Sequence, residues 1–137
     1  MKVRPDITIL ITDDDPDDRM FIADALLEKG FTGLFKSFYN GMDLMNTLSS
    51  EAFDSCVVLI LDLNMPVMDG YETLRQLRND ETYKHLPVVV LTSSSKIEDE
   101  EFCIQLGCNS FKRKPMTVDG FRRHAEELIY FANGVCA

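Results

Sequence analysis

The chain has 137 residues, of which 45% are hydrophobic and 27% are charged, which is typical of one globular domain with a full core. Its formal net charge of −9 argues against direct nucleic-acid binding, which needs a basic surface. No apolar run approaches the roughly 20 residues of a membrane-spanning helix, and residues 1–8 lack the apolar stretch of a signal peptide. We therefore expect a cytoplasmic protein without a membrane partner.

Short apolar runs alternate with helical patterns along the chain. The runs predict strands at 7–12, 33–39, 57–61, 88–92 and 109–113. The helical patterns predict helices at 16–29, 41–50, 70–80 and 96–106, and a last helix capped by Thr117. Parallel pairing with right-handed crossovers then gives an α/β fold, a doubly wound (βα)5 sandwich of flavodoxin-like type. We expect residues 1–137 to form this single domain around a central five-stranded parallel sheet.

The first helix has clear signals at both ends. Asp15 is a good N-cap residue, Pro16 stands at the favoured first helical position, and Gly30 stops the helix. Helical spacing predicts an apolar face made of Met20, Ala23 and Leu27.

The later helices show capping patterns and apolar faces as well. Asp69 with Glu72, and Ser95 with Glu98, have the spacing of capping boxes. Gly107 is expected to end the fourth helix. The predicted apolar faces are Tyr71, Leu74 and Leu77 on the third helix, and Phe121, Ala125, Leu128, Ile129 and Ala132 on the last helix.

The four cysteines, Cys56, Cys103, Cys108 and Cys136, show neither a close CxxC pair nor a nearby histidine. A zinc site needs such a cluster of ligands. We therefore interpret the cysteines as small buried thiols.

Carboxylates follow two predicted strands at the point where each strand ends. Asp13 and Asp14 come directly after 7–12, and Asp62 comes directly after 57–61. Parallel strands bring their carboxyl ends to one edge of a sheet, so we expect these acids to lie close together. Their repulsion calls for a cation, and Mg²⁺ prefers oxygen ligands. The other acids of this stretch are interpreted as a solvated helix start: Asp15, Asp17 and Asp18.

A hydroxyl and a lysine follow two further strands. Thr92 ends 88–92, where its hydroxyl can donate to an added phosphoryl oxygen. Lys114 precedes Pro115, which permits a cis bond and a tight bend that aims the lysine back over the strand ends. A fixed ammonium there would balance the carboxylates and pair with a phosphoryl oxygen. The residues together indicate a site for Mg²⁺ and a phosphoryl group.

These residues resemble the receiver domain of two-component response regulators over essentially the whole chain. The resemblance rests on motifs in a fixed order: ITILITDDDPDD, LILDLNMPVMDG, VVVLTSSS and FKRKP. It implies a phosphoacceptor, similar to stand-alone chemotaxis messengers, that takes a phosphoryl group from a histidine kinase and is not a turnover enzyme. Its partners would be a histidine kinase or phosphotransfer protein and a downstream protein that the sequence does not identify.

The resemblance implies roles for the acidic residues and their neighbour in the 57–70 stretch. Asp62 would accept the phosphoryl group. Asp13 and Asp14 would hold Mg²⁺ together with Asp62 and the backbone carbonyl of Asn64.

The resemblance also implies a switch. Thr92 would bond the phosphoryl group after a small inward shift, and Lys114 would pair with another phosphoryl oxygen. Phe111 falls at the position of the switch aromatic, without the hydroxyl of the Tyr found in many relatives. The face made by the fourth helix, fifth strand and fifth helix would then change, and this face could also support a homodimer.

Three other classes of protein share part of this pattern. A haloacid-dehalogenase-like phosphatase also has an Asp nucleophile with Mg²⁺, but usually after the first strand and with a second Asp where this chain has Asn64. A flavodoxin-like electron carrier needs a phosphate loop after the first strand, where this chain has acids. A degenerate receiver would bind partners without phosphorylation.

Overall fold

The computed structural model describes residues 6–53 and 55–137, in which strands and helices alternate. The strands are β1 (Ile7–Thr12), β2 (Leu34–Phe38), β3 (Cys56–Leu61), β4 (Val88–Thr92) and β5 (Ser110–Arg113). The helices are α1 (Pro16–Glu28), α2 (Gly41–Ser50), α3 (Gly70–Arg78), α4 (Ile97–Leu106) and α5 (Val118–Val135). Element type and order agree with the prediction, while residues 1–5 of the expected domain lie outside the described residues.

The five strands form one parallel sheet in the order β2-β1-β3-β4-β5. Thr12 at the end of β1 pairs with Phe38 on one side and with Leu61 on the other. Each crossover passes through a helix, as parallel strands require. The predicted α/β doubly wound (βα)5 sandwich with a five-stranded parallel sheet is therefore confirmed.

Two hydrophobic cores cover the two faces of the sheet. The core against α1 and α5 takes alternate strand residues, including Ile7, Ile9, Ile11, Val58 and Val89. The core against α2, α3 and α4 takes their neighbours, including Leu10, Leu59, Leu61, Val88 and Val90. Because successive strand residues point to opposite faces, strands buried on both sides are apolar throughout. The predicted apolar face of α5 is confirmed, since its five residues are all buried.

The predicted apolar face of α1 is correct only at Ala23, which is half-buried and packs against the core. The helix buries Ile22, Ala25 and Leu26, whereas Met20 and Leu27 are 50% and 57% exposed. The sequence of α1 has apolar residues on more than one side, so helical spacing alone offers more than one stripe. Packing against α5 selects among them: the rings of Phe21 and Phe121 lie 5.5 Å apart.

Most of the predicted helix ends are confirmed. The Asp15 carboxylate accepts hydrogen bonds from the backbone N–H groups of Asp17 and Asp18. The backbone turns left-handed at Gly30 (φ 93°) and Gly107 (φ 101°), a conformation that suits glycine.

The capping box predicted at Ser95 is wrong. The residue at the N-cap of α4 is Lys96, which makes no capping hydrogen bond through its side chain. Instead, the hydroxyl of Ser94 donates to Asp99 in the first turn of α4 and accepts from the N–H of Lys96. The side chain that contacts the first turn is therefore that of Ser94, one residue before the predicted Ser95.

The interpretation of all four cysteines as free thiols is also wrong. A disulfide joins Cys56 at the start of β3 to Cys136 just after α5, with a Cα–Cα distance of 5.8 Å. The two are 80 positions apart, so no local spacing reveals the pair. Cys103 and Cys108 are free, as predicted, and Cys103 is fully buried.

The longest helix, α5, presents charged and polar residues on its outer side. Within the described part of the chain, no helix combines the length and the apolar character needed to cross a membrane.

Candidate functional site

Two buried aspartates lie side by side where β1 and β3 end. Thr12 and Leu61 are register partners, so the next residues, Asp13 and Asp62, meet at the edge of the sheet. Backbone hydrogen bonds hold both: the N–H of Asp62 donates to the carbonyl of Thr12 at 3.0 Å, and the N–H of Asp13 donates to that of Phe38 at 3.1 Å. The expected convergence of strand ends is therefore realised.

Asp14 completes a cluster with these two acids. One carboxylate oxygen from each of Asp13, Asp14 and Asp62 lies within 4.8 Å of the others. Asp13 and Asp62 are buried, and Asp14 is half-buried. Three carboxylates at this spacing form an all-oxygen donor set, and such sets suit Mg²⁺. The residues therefore fit the divalent cation predicted from the sequence.

Burial perturbs the carboxyl of Asp13. Burial is the largest effect on this group and raises its pKa from 3.8 to about 6, and the charge of Asp62 adds to the increase. The N–H of Asp15, which donates to Asp13 Oδ1 at 2.9 Å, and the ammonium of Lys114 act in the opposite direction. A bound cation would remove much of this penalty, because it favours the charged carboxylate.

Lys114 enters the same cluster from β5. Its Nζ lies 2.9 Å from Asp13 Oδ2 and 3.2 Å from Asp62 Oδ2. A third contact, of 2.8 Å, joins it to Asp18 Oδ2. Burial alone would lower the pKa of Lys114, but the hydrogen bonds to Asp18 and Asp13 and the charge of Asp62 raise it above its ordinary value. The lysine is therefore a fixed cation at the centre of the site.

The bend that positions Lys114 does not use a cis peptide bond. Among the described residues every peptide bond is trans, including the one before Pro115, so the cis alternative is not adopted. The N–H of Lys114 instead donates to the carbonyl of Thr92 at 2.7 Å, which extends the β4–β5 pairing by one bond. Parallel pairing with β4 is thus what holds the lysine over the strand ends.

Thr92 is completely buried at the end of β4, the strand next to β3 in the sheet. Its Oγ1 accepts a long hydrogen bond of 3.4 Å from the N–H of Ser94. The Ser94 hydroxyl in turn donates to Asp99, whose other oxygen accepts from the Tyr71 hydroxyl at 2.6 Å. These contacts connect the end of β4 with α3 and α4, a connection that the sequence analysis missed.

The loop after β3 approaches Asp62 closely. A Cβ added at Gly70 would lie 2.2 Å from the carbonyl oxygen of Asp62, so only glycine fits there. Before it, the N–H of Met68 donates to the carbonyl of Pro66 at 2.7 Å, and the residue between them, Val67, has φ 69°. The spacing of Asp62, Pro66 and Gly70 thus reflects a tight loop that returns to the strand end.

Two further predicted residues lie in the loop after β3 and on β5. The side chain of Asn64 is exposed in the loop after β3. Phe111 on β5 is half-buried and packs against the core formed with α2, α3 and α4.

Asp18 is the functional candidate that the sequence analysis missed, because it was interpreted as a solvated helix-start acid. Its position in the first turn of α1, four residues after Asp14, was the available signal.

Comparison with known proteins adds independent information. The family model of the response regulator receiver domain matches residues 9–126. Chemotaxis protein CheY of Pseudomonas aeruginosa is 35% identical over 126 residues, which cover 92% of this chain and 98% of CheY. Sensor histidine kinase RcsC of Salmonella typhi is 35% identical over 118 residues, which cover 86% of this chain but 12% of the kinase. The solved structure of the phosphorylated cyanobacterial phytochrome response regulator RcpA matches with a TM-score of 0.84 and 25% identity, over 95% of this chain and 96% of that chain.

Proposed function

Because this chain belongs to the response regulator receiver domain family, we propose that it accepts a phosphoryl group on Asp62 from the phosphohistidine of a histidine kinase or phosphotransfer protein. The observation that carries the proposal is the meeting of Asp13, Asp62 and Lys114 at one strand edge. Receiver domains act as signalling domains, and we expect this one, over residues 1–137, to be phosphorylated and dephosphorylated without acting as a turnover enzyme.

The residues of the cluster have different roles in the phosphoryl transfer. Asp13, Asp14, Asp62 and the carbonyl of Asn64 would hold Mg²⁺, which supplies positive charge to the phosphoryl oxygens. A carboxylate oxygen of Asp62 forms the new bond to phosphorus. The bond from phosphorus to the donor imidazole breaks, and the imidazole nitrogen leaves with its electron pair. The Lys114 ammonium then pairs with a phosphoryl oxygen.

The same site drives a conformational switch. Thr92 moves inward to donate its hydroxyl to the phosphoryl group, which costs its contact with the N–H of Ser94. Phe111, which is only half-buried, turns inward as the Thr92 hydroxyl moves towards the phosphoryl group. The face formed by α4, β5 and α5 then changes, and a downstream protein reads this change. The phosphoryl group acts by favouring one of two states of this element.

Partners and location follow from the same proposal. The net charge of −9 supports a protein partner rather than direct contact with nucleic acid. We place the chain in the cytoplasm, where the glutathione pool would favour the reduced form of Cys56 and Cys136.

A homodimer through α4 and α5 is a further proposal, supported by exposed Ile97, Ile104 and Tyr130. Analytical ultracentrifugation with and without the phosphoryl mimic beryllofluoride tests it.

The test of the proposed function is phosphorylation by a small donor. We expect acetyl phosphate with Mg²⁺ to add one phosphoryl group to the wild type, seen by intact-mass spectrometry, and none to Asp62→Asn. Asp69→Asn is the matched control, because Asn can still cap α3 as Asp69 does, and this variant should be labelled like the wild type.

Each other outcome points to a different conclusion. Labelling that persists in Asp62→Asn would show that the acceptor is another residue. Repeated turnover of a phosphoester substrate would favour the aspartyl-nucleophile phosphatase. Binding of a partner by a chain that takes no label would favour a phosphorylation-independent binding module.

A further inference from the structure

The ammonium of Lys114 contacts three carboxylates. It has three N–H donors, and its Nζ lies 2.8 Å from Asp18, 2.9 Å from Asp13 and 3.2 Å from Asp62. The shortest of these contacts is with Asp18, which has no part in the function proposed above. Asp18 also lies outside the trio of acids that can hold a cation.

Asp18 is carried on a well-fixed helix start. Its backbone N–H donates to Asp15 Oδ1 at 3.4 Å, and α1 begins with Pro16 directly after this cap. Arg19, the next residue, donates from its guanidinium to the carbonyl of Asp13 at 2.5 Å. The first turn of α1 is therefore tied to the end of β1, and Asp18 is held at a set distance from the acid cluster.

The three partners of Lys114 differ in what happens to them during the reaction. Asp13 would hold the cation and Asp62 would carry the phosphoryl group, so the contacts of both with Lys114 would weaken or disappear. Asp18 is neither a member of the cation-binding trio nor the proposed acceptor, and its side chain is 21% exposed against 3% for Asp13 and 5% for Asp62. Its contact with Lys114 therefore does not have to give way to the cation or to the phosphoryl group.

We infer that Asp18 is a positioning residue, which holds the Lys114 ammonium over the strand ends when the cation and the phosphoryl group have engaged Asp13 and Asp62. This inference rests on the proposed function. A lysine has a long flexible stem, and fixing it costs conformational entropy. The contact with Asp18 restrains Lys114 before the phosphoryl group arrives, so less freedom is lost on phosphorylation.

A double-mutant cycle tests the inference. The affinity for beryllofluoride in the presence of Mg²⁺ is measured for the wild type, Asp18→Asn, Lys114→Ala and the double variant. With Lys114 present, we expect Asp18→Asn to weaken beryllofluoride binding about threefold to fivefold. This loss corresponds to the binding free energy of one partly exposed ion pair. In the Lys114→Ala background the same change should have no effect, because Asp18 acts through Lys114. Lys114→Met serves as a second background if Lys114→Ala does not fold.

The matched control is Asp17→Asn, which makes the same charge change on the same helical turn at an exposed position. It should bind beryllofluoride like the wild type. Equal weakening by Asp18→Asn in both backgrounds, or no weakening in the wild type, would overturn the inference and leave the proposed function intact. If the wild type itself does not bind beryllofluoride, both the proposed function and the inference fail.

Discussion

Tyr71 on α3 donates its hydroxyl to the carboxylate of Asp99 on α4 at 2.6 Å, and the ring of Tyr71 stacks on Phe102 with 5.3 Å between ring centroids. The other oxygen of Asp99 accepts from Ser94, two residues after Thr92. A single half-buried carboxylate therefore ties two helices to the loop that follows Thr92. Movement of Thr92 would therefore change the contacts of the Asp99 carboxylate through Ser94.

The first prediction concerns the titration of Asp99. Hydrogen bonds from Ser94 and Tyr71 lower the pKa of its carboxyl below 3.8. Because the pKa of Asp99 is lower in the folded than in the unfolded chain, its carboxylate stabilises the fold at pH values above the unfolded-state pKa. This stabilisation is lost as the pH falls through the folded-state pKa. We expect Tyr71→Phe to raise this pKa towards 3.8, measured by carboxyl ¹³C NMR titration, and Tyr130→Phe on the outer side of α5 to leave it unchanged. An unchanged pKa in Tyr71→Phe would contradict the contact.

The second prediction concerns the disulfide. Cys56 and Cys136 close a loop with a sequence separation of 80, and closing a loop of this size stabilises a fold by about 4.5 kcal/mol in the chain-entropy treatment. We expect Cys136→Ser to lower the free energy of unfolding by up to about that amount, measured by urea denaturation under oxidising conditions.

The control for the disulfide is Cys108→Ser, a free cysteine that is only half-buried. Its effect should be smaller and should not depend on added reductant. Beryllofluoride binding should be unchanged in folded Cys136→Ser, because Cys56 and Asp62 lie about 20 Å apart along β3. A wild type whose stability is the same with and without reductant would contradict the prediction.

The third prediction concerns Val67. This β-branched residue has φ 69°, in the left-handed region that such residues rarely adopt, and its side chain is 77% exposed. Asn tolerates this conformation far better, so Val67→Asn should raise the free energy of unfolding by about 1 kcal/mol. Val67→Ala is the comparison variant: it removes the branch but keeps a Cβ, and it should gain less. A loss of stability in Val67→Asn, measured by urea denaturation, would show that the strain is small.

The fourth prediction concerns the pH dependence of metal binding. The pKa of Asp13 is raised from 3.8 to about 6, so a proton competes with the cation below that pH. We expect the affinity for Mg²⁺ to fall about tenfold between pH 7 and pH 5, measured by isothermal titration calorimetry. Asp13→Asn should bind Mg²⁺ more weakly and lose most of this dependence. An affinity that does not change over this range would contradict the prediction.

The same shift has a consequence without metal. A raised pKa means that the folded chain holds the proton more tightly than the unfolded chain does. The contribution of Asp13 to the free energy of unfolding is therefore fully present below pH 3.8, and it is lost as the pH rises through about 6. Mg²⁺ should restore stability above that pH, because it replaces the proton at the same carboxylate.

Much of this protein could be predicted from local patterns. Apolar runs such as 88–92 and helix signals such as Asp15 depend only on neighbouring residues, and the parallel arrangement follows from their alternation. Asp13 and Asp62 could be brought together from sequence because both directly follow a strand. The predicted convergence of Lys114 on these acids was also correct, although the bend depends on pairing with β4 rather than on a cis bond.

Only the tertiary structure decided the contacts that cross the fold. The Cys56–Cys136 disulfide and the Lys114–Asp18 ion pair join residues 80 and 96 positions apart, and no local spacing encodes either. The buried face of α1 was decided in the same way, since Leu26 and Leu27 are chemically alike and only docking on β1 and α5 separates them. By itself, the sequence determined the order of strands and helices and the residues at the strand ends, because these depend on near neighbours. Which distant side chains meet depends on how the helices pack, and packing is a property of the whole chain.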